Sequence, residues 1–309
     1  EDRALGQPLN IKEAIAYVDG SFDINTFNYS YGLVLIYEGE IETYSGKYND
    51  ELSSMRNVAG EIKGARVAME KAIDKGIIVM LATGRGPYEV FDIPEQAGII
   101  ADDRYLICCN GAVIMNIKTK EIVDVLNLDF EYARRVFNYA YENNLTFYLY
   151  TLDKKYGINL SDSTIIAEEH INLLETDNID FLKDETILKV IIKNSDMNKL
   201  QAQEVDVARL TDYKLEISYS SNMYMEINAK GVNKAVALKK VCDHYGIDMK
   251  NVLAIGDNYN DVAMLEEAGR SVAVKNARLQ VKESADYVTT HDNNHGAVGE
   301  AIEKFVLNL

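Results

Sequence analysis

The chain has 309 residues, of which 32 are Lys or Arg and 49 are Asp or Glu, so its formal net charge at neutral pH is −17. Hydrophobic residues make up 47% and charged residues 26% of the chain, a composition that supplies a large core and excludes disordered and fibrous proteins. Because neutralising a nucleic-acid backbone takes clustered Lys and Arg, the acidic balance argues against a nucleic-acid partner but permits small phosphorylated ligands.

The first part of the chain predicts a polar lead-in followed by a strand, an antiparallel hairpin and a long helix. These span residues 1–12, 14–19, 31–48 and 57–75. The hairpin is inferred from two strand-like runs separated by Gly39. The helix has a capping Asn at its start and a Gly just after its end.

From residue 77 the pattern changes to that of a parallel sheet. Residues 77–82 form a continuous apolar run, as expected for a strand covered on both faces, and lead directly into Thr83-Gly84-Arg85. A second run at 252–255 ends in Gly256-Asp257. Each run is followed by a helical pattern and another short strand. The alternation predicts an α/β fold with a doubly wound, mostly parallel sheet, whose ligands bind at the carboxyl ends of the strands.

Strands and helices of a different kind occupy residues 116–224. Two amphipathic helices and two strands are predicted there, at residues 130–143, 146–150, 188–193 and 197–210. We interpret 116–224 as an inserted α+β cap domain over the carboxyl edge of the sheet. The core domain then consists of 13–115 and 225–309.

Polar clusters follow both apolar strands of the predicted core. Asp257 and Asp261, four residues apart where a strand opens into a helix, can reach one hard cation such as Mg²⁺. Asn260 between them can donate to a phosphate oxygen, although a capped turn rich in Asp and Asn is the alternative. Thr83-Gly84-Arg85 offers a hydroxyl and backbone N–H groups that would cradle phosphate, or it is a plain strand-to-helix turn.

Lys234 begins a predicted helix that runs to about residue 245. A Lys in the first turn of a helix is disfavoured by the helix dipole. It is therefore either a solvated surface residue or a residue that faces a metal ion and a phosphate. The three cysteines, Cys108, Cys109 and Cys242, match neither a disulfide framework nor a CxxC metal site and predict buried free thiols in a cytoplasmic protein. No apolar run approaches the ~20 residues of a membrane span, so no membrane partner is expected.

From about residue 77 to the end, the sequence resembles the haloacid dehalogenase (HAD) superfamily, in particular the Cof-type phosphatases with an α/β cap. The matching pieces, in family order, are Ala82-Thr83-Gly84-Arg85, Cys109-Asn110-Gly111-Ala112, Glu226 with Lys230-Gly231-Val232-Asn233-Lys234, Gly256-Asp257 with Asn260-Asp261, and Ala285-Asp286-Tyr287-Val288-Thr289. The resemblance implies that Thr83 and Lys234 bind the phosphoryl group and that Asp257 and Asp261 hold Mg²⁺. It also assigns phosphate and substrate binding to Ser21, Gly84, Arg85, Asn110, Gly111 and Asn260, with the cap choosing the substrate.

Residues 14–76 instead resemble a bacterial ribonuclease H. The resemblance rests on Ala16-Tyr17-Val18-Asp19-Gly20-Ser21, the hairpin, and Asn57-Val58-Ala59-Gly60-Glu61. It implies that Asp19 and Glu61 are metal ligands, but two further carboxylates of that family have no match. The chain thus looks like a fusion or chimera joined at about residues 75–76. Both folds begin with a strand, a hairpin, a helix and a parallel strand beside the first, so such a join is physically tolerable.

The first HAD motif, Asp-x-Asp-Gly-Thr, is not intact, and two registers are open. If Asp19 is the second Asp, the general acid/base remains while Tyr17 occupies the place of the nucleophile. If Asp19 is itself the nucleophile, Ser21 replaces the acid/base, and a phosphoaspartate would form but hydrolyse slowly. In both registers Asp19 lies near Asp257 and the metal ion.

The sequence therefore predicts a Mg²⁺-dependent HAD-type phosphatase for small phosphorylated metabolites such as sugar phosphates, impaired by its altered first motif. A ribonuclease H-like nuclease and a non-catalytic phosphate-binding protein are the alternatives. Substrate identity and oligomeric state do not follow from the sequence.

Overall fold

A computed structural model of the chain describes residues 78–91 and 104–292, the strands among residues 15–48, and the single positions 297, 301 and 305. The strands are β1 (Ile15–Ala16), β2 (Ser21–Asp23), β3 (Asn28–Tyr37), β4 (Glu40–Tyr48), β5 (Ile78–Val79), β6 (Leu81–Ala82), β7 (Tyr105–Cys108), β8 (Val113–Asn116), β9 (Ile122–Val125), β10 (Thr146–Thr151), β11 (Lys155–Ile158), β12 (Ile171–Leu173), β13 (Ile187–Lys193), β14 (Leu215–Ser220), β15 (Tyr224–Ala229), β16 (Leu253–Gly256), β17 (Arg270–Ala273) and β18 (Tyr287–Val288). The described α-helices are α1 (Phe130–Glu142), α2 (Ser163–Glu168), α3 (Met197–Leu210), α4 (Lys234–Tyr245), α5 (Val262–Glu267) and α6 (Leu279–Glu283).

Parallel strands form the centre of the core domain. β1 pairs in parallel with β5, β6 with β7, and β16 with β17, which in turn pairs with β18. β1 also lies against β16, so the parallel strands follow one another across the core. Ile107, Ile255 and Val272 are fully buried, as expected of strands covered on both faces. The predicted α/β fold is confirmed in the described part of the chain.

The front of the chain contains the predicted hairpin. β3 and β4 pair in antiparallel register with Ile36 opposite Ile41, and β3 begins three residues earlier than predicted. The strand beside β1 is the one predicted, although it divides at Met80 into β5 and β6. Asp19 and Glu61, and the helix predicted at 57–75, lie outside the described residues.

The cap is a six-stranded sheet in the order β12-β11-β10-β13-β15-β14. The alternation of residues along β10 separates its two faces. Phe147 and Leu149 belong to a hydrophobic cluster with Phe137 of α1 and Val207 of α3, so both helices cover that face. Tyr148 and Tyr150 point to the opposite face and join the cluster of the core domain. The face of the cap sheet that carries Tyr148 and Tyr150 is therefore directed at the core domain.

The sheet pairings put both ends of the cap a few residues later than the predicted boundaries at 116 and 224. β9 pairs with β8 and through it with β7, so residues up to 125 continue the core sheet. β15 pairs with β13 and β14, so the cap sheet continues to Ala229. The turn at 221–223 closes a hairpin, and its second strand completes the cap before the chain returns to the core. The predicted helices at 130–143 and 197–210 agree with α1 and α3 to within one residue.

The three cysteines are free and buried, as predicted. Cys108 ends β7 and Cys109 begins the turn that follows. Burial raises the pKa of the Cys109 thiol to about 12, while Lys189 lowers this pKa and Glu89 raises it by smaller amounts. These thiols are therefore protonated core side chains at neutral pH. Among the residues described, no helix is long and apolar enough to cross a membrane.

Candidate active site

Three turns meet at the carboxyl edge of the core sheet. The turn at 83–85 follows β6, the turn at 109–111 follows β7, and Asp257 follows β16. Backbone bonds join the first two, because Asn110 N donates to Thr83 O at 3.0 Å and Cys109 N to Arg85 O at 2.8 Å. The Asn260 side chain donates to Asn110 Oδ1 at 3.0 Å and connects the third. Residues that are far apart in sequence thus form one site.

Two glycines allow these turns to lie so close together. A Cβ on Gly84 would lie 3.0 Å from Asn110 Oδ1. Gly111 has φ +105°, and a Cβ there would lie 2.5 Å from the Asn233 carbonyl oxygen. Gly84 and Gly111 therefore allow close backbone approach, and their role in phosphate binding stays a prediction. Thr83 is half-buried beside them, and its Oγ1 accepts a hydrogen bond from Arg85 N at 3.2 Å.

Lys234 and Asp261 form a buried ion pair behind these turns. Lys234 Nζ donates to Asp261 Oδ1 at 2.6 Å, and the two side chains are only 4% and 3% exposed. The pair explains a Lys in the first turn of α4, because the carboxylate offsets the unfavourable helix dipole. Asn233 caps the same helix by accepting from Val236 N at 2.9 Å.

Asp261 also shapes the turn that carries Asp257. Its Oδ2 accepts from the backbone N–H groups of Asp257 and Asn258, both at 3.0 Å. A Cβ on Gly256 would lie 2.6 Å from the Asp261 Cβ, so only Gly leaves room for this arrangement. Both oxygens of Asp261 are hydrogen-bonded, and its neighbour is an ammonium group. In this geometry Asp261 supports the turn of Asp257, and its role as a direct Mg²⁺ ligand stays a prediction.

The chemistry of the donors fits Mg²⁺, which prefers carboxylate and other oxygen ligands. Asp257 is half-buried at the strand edge, and Asp261 fixes its backbone. Within the described residues no three His, Cys, Asp or Glu side chains form a metal-binding group. The predicted set required Asp19, which belongs to the part of the chain not described. Ser21 opens β2, and its backbone pairs with Ser30 of β3. Asp257 is therefore the described carboxylate that would hold the ion.

A cavity of about 450 Å³ lies between the cap and these turns. Gly84, Arg85 and Asn260 line its core side. On the cap side, Lys155, Tyr150 and Lys189 occupy one row of the sheet, because Tyr150 of β10 is directly opposite Lys155 of β11 and Lys189 of β13. The ammonium of Lys189 lies 4.5 Å from the centre of the Tyr150 ring. The cap thus contributes polar and aromatic groups directly above the phosphate-facing turns.

Lys189 and Glu226 connect the cap to the core. Lys189 Nζ donates to Glu226 Oε2 and to the Gly84 carbonyl oxygen, both at 2.7 Å. Glu226 also accepts from Asn110 Nδ2 at 2.7 Å and from Ser220 Oγ at 2.6 Å. The two side chains are 3% and 5% exposed. One buried pair therefore positions two turns of the predicted phosphate site.

Burial and pairing compete in setting the pKa values of this pair. Burial by itself would raise the pKa of Glu226, but Lys189 and the hydrogen bonds from Ser220 and Asn110 outweigh it and leave the pKa below its usual value. Burial would lower the pKa of Lys189, and Glu226 reverses that effect, so the pKa lies above its usual value. Both groups are charged at neutral pH.

Sequence reasoning missed four charged residues of the cavity: Glu89, Lys155, Glu169 and Lys189. One signal was present, because a Lys in the middle of the apolar run Ile187-Leu188-Lys189-Val190-Ile191 is unusual in a strand unless it has a buried partner. The other three residues carry no such pattern. Glu226 belonged to a recognised motif, but its bond to Lys189 could not be seen in the sequence.

Most of the chain matches a known protein family. The model of the haloacid dehalogenase-like hydrolase family matches residues 61–302. A 5-amino-6-(5-phospho-D-ribitylamino)uracil phosphatase of Bacillus subtilis is 31% identical over 245 residues, which are 78% of this chain and 87% of that protein. The match to the family begins at residue 61, inside the segment that resembles ribonuclease H. That second resemblance gains no support from these matches.

Solved structures share the fold. A haloacid dehalogenase-like hydrolase from Bacteroides thetaiotaomicron has a TM-score of 0.67 at 24% identity, over 94% of this chain and 98% of that one. A HAD subclass IIB sugar phosphatase has a TM-score of 0.65 at 20% identity, over 77% of this chain and 89% of that one. At these identities the likeness concerns the fold alone.

Proposed function

This chain belongs to the haloacid dehalogenase-like hydrolases, and we propose that it is a Mg²⁺-dependent phosphatase of small phosphorylated metabolites such as sugar phosphates. The observation that supports it most is the buried Lys234–Asp261 pair, whose carboxylate holds the turn of Asp257 at the sheet edge where the cap cavity lies. The relative from B. subtilis is a phosphatase of a phosphorylated ribityl compound, and one structural neighbour is a sugar phosphatase.

The proposed roles follow from the positions of the side chains. The Lys234 ammonium and the Thr83 hydroxyl bind the phosphoryl oxygens at the strand edge. Asn260 and Asn110, joined by a hydrogen bond of 3.0 Å, close one side of that site. Gly84, Arg85 and Gly111 complete the two turns. Asp257, supported by Asp261, holds Mg²⁺, which when bound offsets the negative charge of the phosphoryl oxygens.

Asp19 is the proposed reactive carboxylate, and its role depends on whether it matches the first or the second Asp of the Asp-x-Asp-Gly-Thr motif. As the nucleophile it would attack phosphorus and form a phosphoaspartate while the bond from phosphorus to the substrate oxygen breaks, and that oxygen would take a proton from water to leave as the alcohol. Ser21 cannot then activate water as a carboxylate would, so hydrolysis of the intermediate is slow. As the second Asp of the motif, it would instead serve as general acid and base, and Tyr17 would stand in the place of the nucleophile.

The test is Mg²⁺-dependent turnover of p-nitrophenyl phosphate by the whole chain. We expect Asp19→Asn and Asp257→Asn each to lower kcat/KM by more than about 100-fold, because each removes a charge at the reacting phosphoryl group. Asp124→Asn is the matched control, because Asp124 pairs with Lys240 on the surface, where the two side chains are 39% and 43% exposed. Its activity should be unchanged.

Two other outcomes would replace the proposal. Cleavage of an RNA/DNA hybrid that is lost on Glu61→Gln would make the protein a nuclease. Absence of turnover together with Mg²⁺-dependent binding of inorganic phosphate would make it a non-catalytic phosphate-binding protein. Rapid turnover that survives Asp19→Asn would remove Asp19 from the mechanism.

A further inference from the structure

We infer that Lys155 and Glu169 form a specificity-determining pair that selects substrates whose leaving group ends in an uncharged hydroxyl group rather than a carboxylate or a second phosphate. The inference rests on the proposed phosphatase function. Its observations are the position of the pair in the cavity, its distance from the phosphoryl site and the balance of charge around it.

Lys155 lies deep in the cavity and is held by two carboxylates. Its ammonium is 2.5 Å from Glu169 Oε2 and 3.5 Å from Glu89 Oε1, and its side chain is 5% exposed. The rings of Tyr150 and Tyr148 lie under it, with centres 4.9 Å and 5.1 Å from the nitrogen. Glu169 is 36% exposed, so a ligand can reach this carboxylate while it holds the lysine.

The lysine of the pair lies on a different cap strand from the lysine that contacts the phosphate-facing turn, although Lys155 also contacts Glu89, whose Oε2 accepts from Gly86 N at 2.6 Å. Lys189 on β13 already contacts the Gly84 carbonyl of the phosphate-facing turn. Lys155 lies on β11, and β10 separates the two strands. The two ammonium groups lie 4.9 Å and 4.5 Å from the centre of the same Tyr150 ring, so they are at most about 9 Å apart, a distance that a hexitol phosphate can span. A substrate whose phosphoryl group lies beside Gly84 can therefore bring its far end to Lys155 within the same cavity.

The charges that line the cavity cancel within the described residues. Three bases face three acids, namely Arg85, Lys155, Lys189, Glu89, Glu169 and Glu226. An anionic far end would find the Lys155 ammonium already neutralised and would lie beside two carboxylates. A hydroxyl group can accept from the ammonium and donate to Glu169, so it suits both members of the pair. Selection against the anion comes from repulsion as well as from lost bonds.

The test compares glucitol 6-phosphate with 6-phosphogluconate, which differ at the far end by a hydroxymethyl group against a carboxylate. We measure the ratio of kcat/KM for the two esters, or the ratio of Kd by titration calorimetry for an ester that is not hydrolysed. The wild-type protein should prefer glucitol 6-phosphate. Glu169→Gln should shift the ratio about fivefold towards 6-phosphogluconate, an effect of the size of one ion pair. Lys155→Gln should shift it in the opposite direction.

Glu131→Gln is the matched control, because Glu131 forms an exposed ion pair with Arg134 on α1, where the two side chains are 52% and 42% exposed. It removes the same charge from the cap and should leave the ratio unchanged. A ratio that stays within twofold of wild type in both cavity variants would overturn the inference, as would a wild-type preference for 6-phosphogluconate. If p-nitrophenyl phosphate is not hydrolysed either, the phosphatase proposal fails, and the Kd ratios for the two esters still decide on the pair.

Discussion

The Lys234–Asp261 pair shows how much depends on one contact at the scale of single residues. A lysine at the first position of a helix opposes the helix dipole, and the buried carboxylate of Asp261 offsets this. The same carboxylate accepts two backbone N–H groups of the turn that carries Asp257. Asp261 therefore couples the position of the ammonium group to the position of the proposed magnesium ligand.

We predict that Asp261→Asn lowers the free energy of unfolding by about 3 kcal/mol, because it removes the charge that compensates a buried ammonium group. Asp124→Asn should cost less than about 1 kcal/mol, because its pair with Lys240 is exposed to solvent. The two pairs have the same N–O distance of 2.6 Å, so burial is what distinguishes them. Urea denaturation followed by circular dichroism measures both. Equal losses in the two variants would contradict the assignment.

At the scale of elements, the cap sheet has two chemically different faces, one towards the cap helices and one towards the core domain. Val190 and Ile192 of β13 are fully buried among the cap helices, whereas Lys189 faces the core and contacts Gly84. The period of two along a strand makes this separation possible. One strand thereby fills the hydrophobic core of the cap and also carries a charged contact to the phosphate-facing turn.

The Lys189–Glu226 pair predicts a definite dependence of stability on pH. Because the pKa of Glu226 in the folded protein is below its ordinary value of 4.5, the pair contributes fully above that value and is lost as the pH falls through the lower, folded-state pKa. The difference in unfolding free energy between wild type and Glu226→Gln should therefore be largest near neutral pH and shrink below pH 4.5. The pKa of Lys189 is raised above its ordinary 10.5, so the contribution is also lost as the pH rises beyond that value.

Urea denaturation of both proteins between pH 3 and pH 7 tests this dependence. Glu204→Gln serves as a control on the same cap. Glu204 accepts a hydrogen bond from the Tyr219 hydroxyl and does not line the cavity. A difference between wild type and Glu226→Gln that stays constant across this range would show that the pKa of Glu226 is the same in the folded and the unfolded protein, and would contradict the prediction.

At the scale of the whole molecule, the net charge of −17 opposes any polyanion. We predict that an RNA/DNA hybrid binds more weakly than about 10⁻⁴ M at physiological salt, since non-specific affinity comes from counterions released by basic side chains. Fluorescence anisotropy of a labelled hybrid measures this affinity. Micromolar binding that weakens steeply with added salt would contradict the prediction and revive the nuclease interpretation of Asp19 and Glu61.

The sequence by itself determined the fold class, because continuous apolar runs such as 77–82 and 252–255 are typical of parallel strands that are buried on both faces. It also indicated the turns at 83–85 and 256–261, since Gly, Asp and Asn follow those runs directly. Only the tertiary structure decided what each side chain contacts. Lys189 reaches a carbonyl 105 residues away in the chain. Lys155 is placed in the cavity by strand register, and Asp261 supports the site because Lys234 approaches it from another helix. Such contacts depend on how distant elements pack together, and no local pattern in the sequence encodes them.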